Sequence, residues 1–182
     1  MTPDTLLRLA NLTVPRKPGR GPRIYPDPLA NPKTAAQTLG ITRLDTAQLR
    51  TLRELHKTSV ELVDALLAGR PLARPAARLT RLAEPSAATV RLEVGAGQSL
   101  RTRLQWSEPT PTATLARQVA LDLGAIDPKR LKRCALPACG LLFYDTTRSG
   151  TRRWHAESPC GARERQRRYR EAASTSSPTQ RG

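Results

Sequence analysis

Three cysteines and one histidine constrain the C-terminal part of this chain more than any other feature. Cys134, Cys139, His155 and Cys160 are spaced Cys-x4-Cys-x15-His-x4-Cys, and the chain has no cysteine elsewhere. Tetrahedral zinc takes four soft or borderline ligands, commonly delivered as two close pairs separated by a longer loop, and the spacing supplies that layout. The segment Cys134-Ala-Leu-Pro-Ala-Cys139-Gly140 reads as a zinc knuckle. Its tight turn lets backbone N–H groups point at the thiolates, and Gly140 suits a position that needs positive φ. Four protein ligands leave no open position for water, so the metal is structural and folds a segment too small to bury a core alone. His155 is the least constrained of the four. Asp145 or Glu157 are the alternatives, although hard carboxylates are rarer in structural zinc sites.

The ligands sit in a run of cations. Between Lys129 and Arg170, twelve basic residues face three acids (Asp145, Glu157 and Glu164), a net +9. The whole chain of 182 residues carries +16. More than half of the net charge therefore lies in less than a quarter of the length. Arginine dominates, and its planar fork suits phosphates and guanine edges better than a lysine ammonium does. Such single-sign density implies an anionic partner, with nucleic acid the leading candidate. Arg148, Arg152 and Arg153 lie in the loop before the second ligand pair and suit phosphate contacts. Residues 162–173 read as a helix on which Arg163, Arg167 and Arg170 share a face, with Arg165 and Arg168 beside it. Ala162, Gln166, Tyr169 and Ala173 form a less charged stripe expected to pack on the metal module. Trp154 and Phe143 read as packing residues beside the metal.

Upstream, the chain predicts a mainly α, α+β domain over residues 1–127 with one β-hairpin. A short helix is expected over Thr5 to Leu12, then a Pro- and Gly-rich loop from Val14 to Pro32. The clearest helix runs from Thr46 to Ala68, with Asp45 as N-cap, Gly69 as the stop and an apolar stripe of Leu52, Leu55, Leu62, Val63 and Leu66. A shorter helix follows Pro75, with Leu79 and Leu82 inward. Val90, Leu92 and Val94 alternate with Arg91 and Glu93, and Leu100, Leu104 and Trp106 alternate with Arg101, Arg103 and Gln105. Joined by a turn over residues 95–98, they predict a hairpin with one buried and one wet face. A last helix starts near Pro111, capped by Thr110, with Leu115, Val119 and Leu123 inward and a stop near Gly124. His56 lies mid-helix without a ligand partner at helical spacing and reads as a solvated or packed residue. Asp127-Pro128 marks the boundary to the metal module (128–173), and 174–182 is a polar tail expected to be disordered.

No apolar run approaches the roughly 20 residues that span a bilayer, and the start is too short and charged for a secretory signal. The expectation is a cytoplasmic protein, where clustered thiols favour metal over disulfides. No histidine–carboxylate set, phosphate-binding glycine loop or open metal position is legible, so no enzymatic activity is expected.

From Arg130 onward the sequence resembles the CGNR zinc-finger family of bacterial proteins. The family pattern is roughly C-x4-C-G-x-x-F-x-D-x-S-R-N-x-x-R-x-W-C-x4-C-G-N-R. Cys134, Cys139, Gly140, Phe143, Asp145, Arg148, Trp154, Cys160, Gly161 and Arg163 match it in register without a gap. His155 stands where the family has cysteine, Ala162 replaces the asparagine of the family's name, and Thr147 and Ser149 replace its Ser and Asn. In this family a helical ABATE domain usually precedes the finger, and residues 1–127 suit one. The family is described as regulators of stress-induced transcription. The resemblance thus implies a zinc-containing DNA-binding regulator whose N-terminal domain senses an effector. The alternative is a zinc-stabilised adaptor for RNA or an acidic protein.

Overall fold

In a computed structural model, residues 2–14, 27–86, 88–96, 99–106 and 110–175 are described. They form two compact units. One comprises residues 2–13 and 27–128; the other comprises residue 14 and residues 129–175.

The first unit is built from helices α1 (Asp4–Ala10), α2 (Pro32–Leu39), α3 (Thr46–Leu67), α4 (Ala73–Ala83) and α5 (Pro111–Ala125), with a ribbon of strands β1 (Ala88–Val94) and β2 (Leu100–Trp106) between α4 and α5. Helix α3 is the centre of the packing. Asp45 accepts from the Gln48 amide while the Gln48 side chain accepts from the Asp45 amide, a reciprocal cap that satisfies two orphan donors. Gly69, at φ +61°, ends the helix as expected. Leu49, Leu52, Leu55, Leu62 and Val63 are buried along one face, and α1, α4 and α5 pack around it.

Helix α2 is absent from the sequence expectation, which ran a loop up to Pro32. Its signals are local: Asn31 caps the Thr34 amide at 2.9 Å, Pro32 occupies the first turn, and Gly40 at φ +67° ends it. The dense prolines upstream masked these signals. Residues 15–26 of the expected Pro-rich loop lie outside the described residues.

Short α1 is held by tertiary contacts. Its N-cap position is Pro3, which offers no side-chain acceptor. Buried Asp122 of α5 replaces the missing cap, accepting from the Leu6 amide at 2.9 Å, and is itself bonded by Gln118 at 3.1 Å. At the other end, His56 on α3 bonds through Nδ1 to the Leu9 carbonyl at 2.8 Å, the packed role expected of it. Arg8 and Arg53 donate to the carbonyls of Leu39 and Leu29, tying down α2 and the turn before it. Asp122→Ala leaves the Leu6 amide buried and unpaired. It is expected to lower stability by about 1–2 kcal/mol, read by urea denaturation of the intact chain.

Two further expectations are corrected. On α5 the buried residues are Thr112, Ala113, Ala116, Val119 and Asp122, with Leu115 and Leu123 only half-buried. The helix turns a small-residue stripe inward because it packs closely on α1, α3 and α4. It passes through Gly124 and ends at Ala125, ahead of the residue that Pro128 keeps out of helix. The expected hairpin forms, with Val90 opposite Leu104 and Val94 opposite Leu100, but its apolar face is not buried. Val90, Leu92, Val94, Leu100 and Leu104 are 56–70% exposed. Part of the expected turn, residues 97–98, lies outside the described residues.

Among the described residues no helix is long and apolar enough to cross a membrane.

Candidate metal centre

The second unit starts with a small hairpin, β3 (Leu131–Arg133) and β4 (Leu142–Tyr144), paired antiparallel with Lys132 opposite Phe143. Its connecting loop is the first ligand pair. Cys134 leaves β3 and bonds its amide to the Leu141 carbonyl at 2.8 Å, while the Cys139 amide bonds to Leu136 at 2.9 Å. Gly140 takes φ +66°, which reverses the chain into β4 as the knuckle reading requires. The second pair comes from the segment that follows the hairpin. The Ala135 amide bonds to the Arg153 carbonyl at 2.8 Å, which draws that segment against the knuckle and presents His155. Cys160 ends a tight irregular turn that leads into helix α6 (Ala162–Thr175). Within this turn Gly161 lies so close to the Glu157 carboxylate that a Cβ there would meet it at 2.7 Å.

The side-chain donors of Cys134, Cys139, His155 and Cys160 all lie within 4.8 Å of one another. His155 Nδ1 is 3.4 Å from the Cys139 sulfur and 3.6 Å from that of Cys160. Zinc–sulfur and zinc–nitrogen bonds of about 2.3 and 2.0–2.1 Å set at tetrahedral angles put such atoms about 3.5 Å apart, so one ion fits between them. All three cysteines are buried, and Leu136, Leu141 and Trp154 pack around them as a dry shell. The donor set is Cys3His with Nδ1 as the imidazole ligand, and it is a zinc site.

The thiols are prepared unequally. At Cys134 burial acts upward, but N–H groups of Leu136 and His155, together with the other two thiols, outweigh it and leave the pKa below the usual thiol value. Cys139 is raised, chiefly by burial. Cys160 is pushed up to about 12 by burial and by the neighbouring thiols. Burial, then the charge of Arg152, lowers the pKa of His155, which keeps the imidazole neutral as a ligand must be. Three thiolates around Zn2+ leave a formal charge of −1, which the surrounding guanidinium groups offset.

The Asp145 and Glu157 alternatives to His155 are both occupied elsewhere. Asp145 is fully buried and accepts from Lys132 Nζ at 2.7 Å, the Thr147 hydroxyl at 2.6 Å, the Thr147 amide at 3.0 Å and the Arg152 amide at 2.8 Å. Lys132 lies foremost among the groups that hold its carboxyl well below the usual carboxylate range. Arg130 donates to the Asp145 and Thr147 carbonyls at 2.9 and 2.7 Å. This hub fastens the 145–152 loop to the hairpin and so aims His155. Thr147, which replaces the family's serine, keeps the hydroxyl bond. Glu157 pairs with Arg165.

Residues 130–173 match the model of the CGNR zinc finger. The C-terminal unit is a CGNR zinc finger. The matched span covers the finger and does not extend into the N-terminal unit. No curated protein matches the chain.

The eight arginines expected at the anion-binding surface divide into three sets. Arg152 is committed to the finger: it bonds the carbonyls of Trp154 and His155 and lies 5.5 Å from the centre of the Phe143 ring. Arg165, Arg167 and Arg168 pair with Glu157, Glu164 and Glu171, although each remains partly exposed. Arg153 is exposed over the Trp154 ring at 5.4 Å, and Arg148, Arg163 and Arg170 are exposed on the loop and on α6.

Helix α6 does not pack as expected. Ala162, Gln166, Tyr169 and Ala173 are exposed, with Tyr169 at 77%. Glu164 in its first turn is buried, 4% exposed, and is neutralised within the helix by Arg167 and Arg168, while Arg165 ties the helix to Glu157 of the preceding turn. Arg167 leads the groups that lower the Glu164 pKa to about 2. Helix α6 also runs to Thr175, into the expected tail; residues 176–182 lie outside the described residues.

Proposed function

We propose that this chain is a DNA-binding transcription regulator in which zinc holds a cationic loop and helix against the duplex. One observation carries the reading. Beyond Cys160 the helix α6 presents five exposed arginines, and among its described side chains only Glu164, in the first turn, is buried. A helix packed by its first turn alone and left cationic along its remaining length suits a groove or a pair of phosphate rows. Arg148 and Arg153 extend the same charge from the loop. The zinc is structural in this reading, and the chain carries no catalysis. The N-terminal unit is the sensing part. A cavity of about 290 Å3 lined by Leu62, Leu66, Leu79, Ala120 and Leu123 suits a small apolar effector.

Fluorescence anisotropy with labelled duplex tests the reading. Affinity is expected to fall steeply with salt, with a log–log slope that shrinks by about 0.9 for each phosphate-contacting arginine removed. Arg148→Ala, Arg163→Ala and Arg170→Ala together are expected to flatten the slope by about 2–3 while zinc content stays at one per chain. Salt-independent binding counts against the reading. Preference for structured RNA, or for an acidic protein, over duplex favours the adaptor role instead.

A further inference from the structure

The β1–β2 ribbon is amphipathic and wears its apolar face outward. The register places Ala88, Val90, Leu92 and Val94 of β1 beside Leu100, Thr102 and Leu104 of β2 on one face. Arg91, Glu93, Arg101 and Arg103 lie on the other face, where Arg103 pairs with Glu93 at 2.7 Å. Single exposed leucines are ordinary on a protein surface; five large aliphatic side chains in one patch are not. Their combined exposed area is roughly 500–600 Å2, at the upper end of what monomeric proteins tolerate.

We propose that this face is the surface through which two copies of the chain pair. The chemistry of the patch selects the occupant. It carries no cation, so nucleic acid finds nothing there to neutralise, and an acidic protein would be drawn to the arginine-rich surfaces instead. A second copy is self-complementary to it: an isologous pair brings the same uncharged aliphatic rows together about a two-fold axis. Two chains of +16 repel each other, and this face lets them meet with their ribbon charges turned outward. Face-to-face packing of two ribbons at about 10 Å lets the side chains interdigitate as in a sandwich core. The pair buries about 1,000–1,200 Å2, the lower bound for a specific dimer, so a concentration-dependent equilibrium is expected rather than an obligate one.

Sedimentation equilibrium of the full zinc-loaded chain, without nucleic acid, tests the pairing. The wild-type mass is expected to rise with concentration toward twice the 20.0 kDa of the chain. Leu92→Glu with Leu104→Glu is expected to weaken pairing about 100-fold or more. Both side chains are exposed in the single chain, so helical circular dichroism should not change. Leu92→Thr with Leu104→Thr, which keeps strand propensity, serves if the charged pair misfolds and should weaken pairing in the same direction. Hydrogen exchange of β1 and β2 should slow as concentration rises. A chain that stays monomeric, a dimer that both variants leave intact, or ribbon protection that ignores concentration each overturns the proposal. Because DNA is absent from the measurement, failure of DNA binding leaves this result standing, and the reverse holds as well.

Discussion

Removing zinc is expected to unfold residues 129–175 and leave the N-terminal helical unit folded. The finger has two three-residue strands, and its core is the cysteine cluster with Leu136, Leu141 and Trp154, beside Leu131, Leu142 and Phe143. That is too little apolar burial to offset the ordering of the segment, so metal-binding energy, about 10–16 kcal/mol in zinc-finger peptides, must supply the folding energy. A strong chelator should abolish slow hydrogen exchange in β3, β4 and the first turns of α6, and leave α3 and α5 protected. Cys160→Ser should reproduce the chelator's effect. The pH dependence follows from the thiols. In the unfolded, metal-free segment the thiols have their ordinary values of about 8.5, so they are mostly protonated at neutral pH and zinc must displace their protons. Loading therefore releases protons, and zinc affinity is expected to fall as pH falls.

Asp145→Asn is expected to be the most damaging change outside the ligands. The amide can keep one acceptor but turns an N–H2 group toward donors that now hold a carboxylate, and it leaves the Lys132 ammonium without its counter-charge. The 145–152 loop then loosens, and with it the placement of His155. We expect zinc affinity to fall about 10–100-fold, the range for groups that orient metal ligands, measured by competition with a chromophoric chelator at neutral pH. The sign with pH is definite. The Asp145 carboxyl is held below its ordinary value, so its contribution is complete above about pH 4 and is lost only on further acidification. The penalty of Asp145→Asn should therefore be constant between neutral pH and mild acid. Thr147→Val removes one of four bonds and should cost much less.

The three cysteine ligands were legible because their chemistry is written in residue type and spacing, whereas the choice of His155 over Asp145 and Glu157 needed the geometry. Also legible was α3, whose cap, stripe and stop all agree. What escaped was set by tertiary contact. Asp122 caps a helix more than a hundred residues away, and nothing local marks it. Glu164 reads as one acid in a row of arginines, yet it is buried and gathers Arg167 and Arg168 of its own helix. Alternation in β1 and β2 correctly gave the two strands, but alternation reports only that two faces differ. It cannot say whether the apolar one meets the chain's own core or another surface. The arginines were counted as one anionic-partner set; the structure divides them, with Arg152 serving the fold, Arg165, Arg167 and Arg168 paired with acids, and Arg148, Arg153, Arg163 and Arg170 exposed.

Zinc-edge X-ray absorption of the purified chain tests the centre most directly. One zinc per chain, with three sulfurs at about 2.3 Å and one nitrogen at about 2.0–2.1 Å, is the predicted first shell, and His155→Ala should lose the nitrogen. A first shell of three sulfurs and a carboxylate oxygen, unchanged in His155→Ala, would contradict the account, as would a chain that purifies folded without metal.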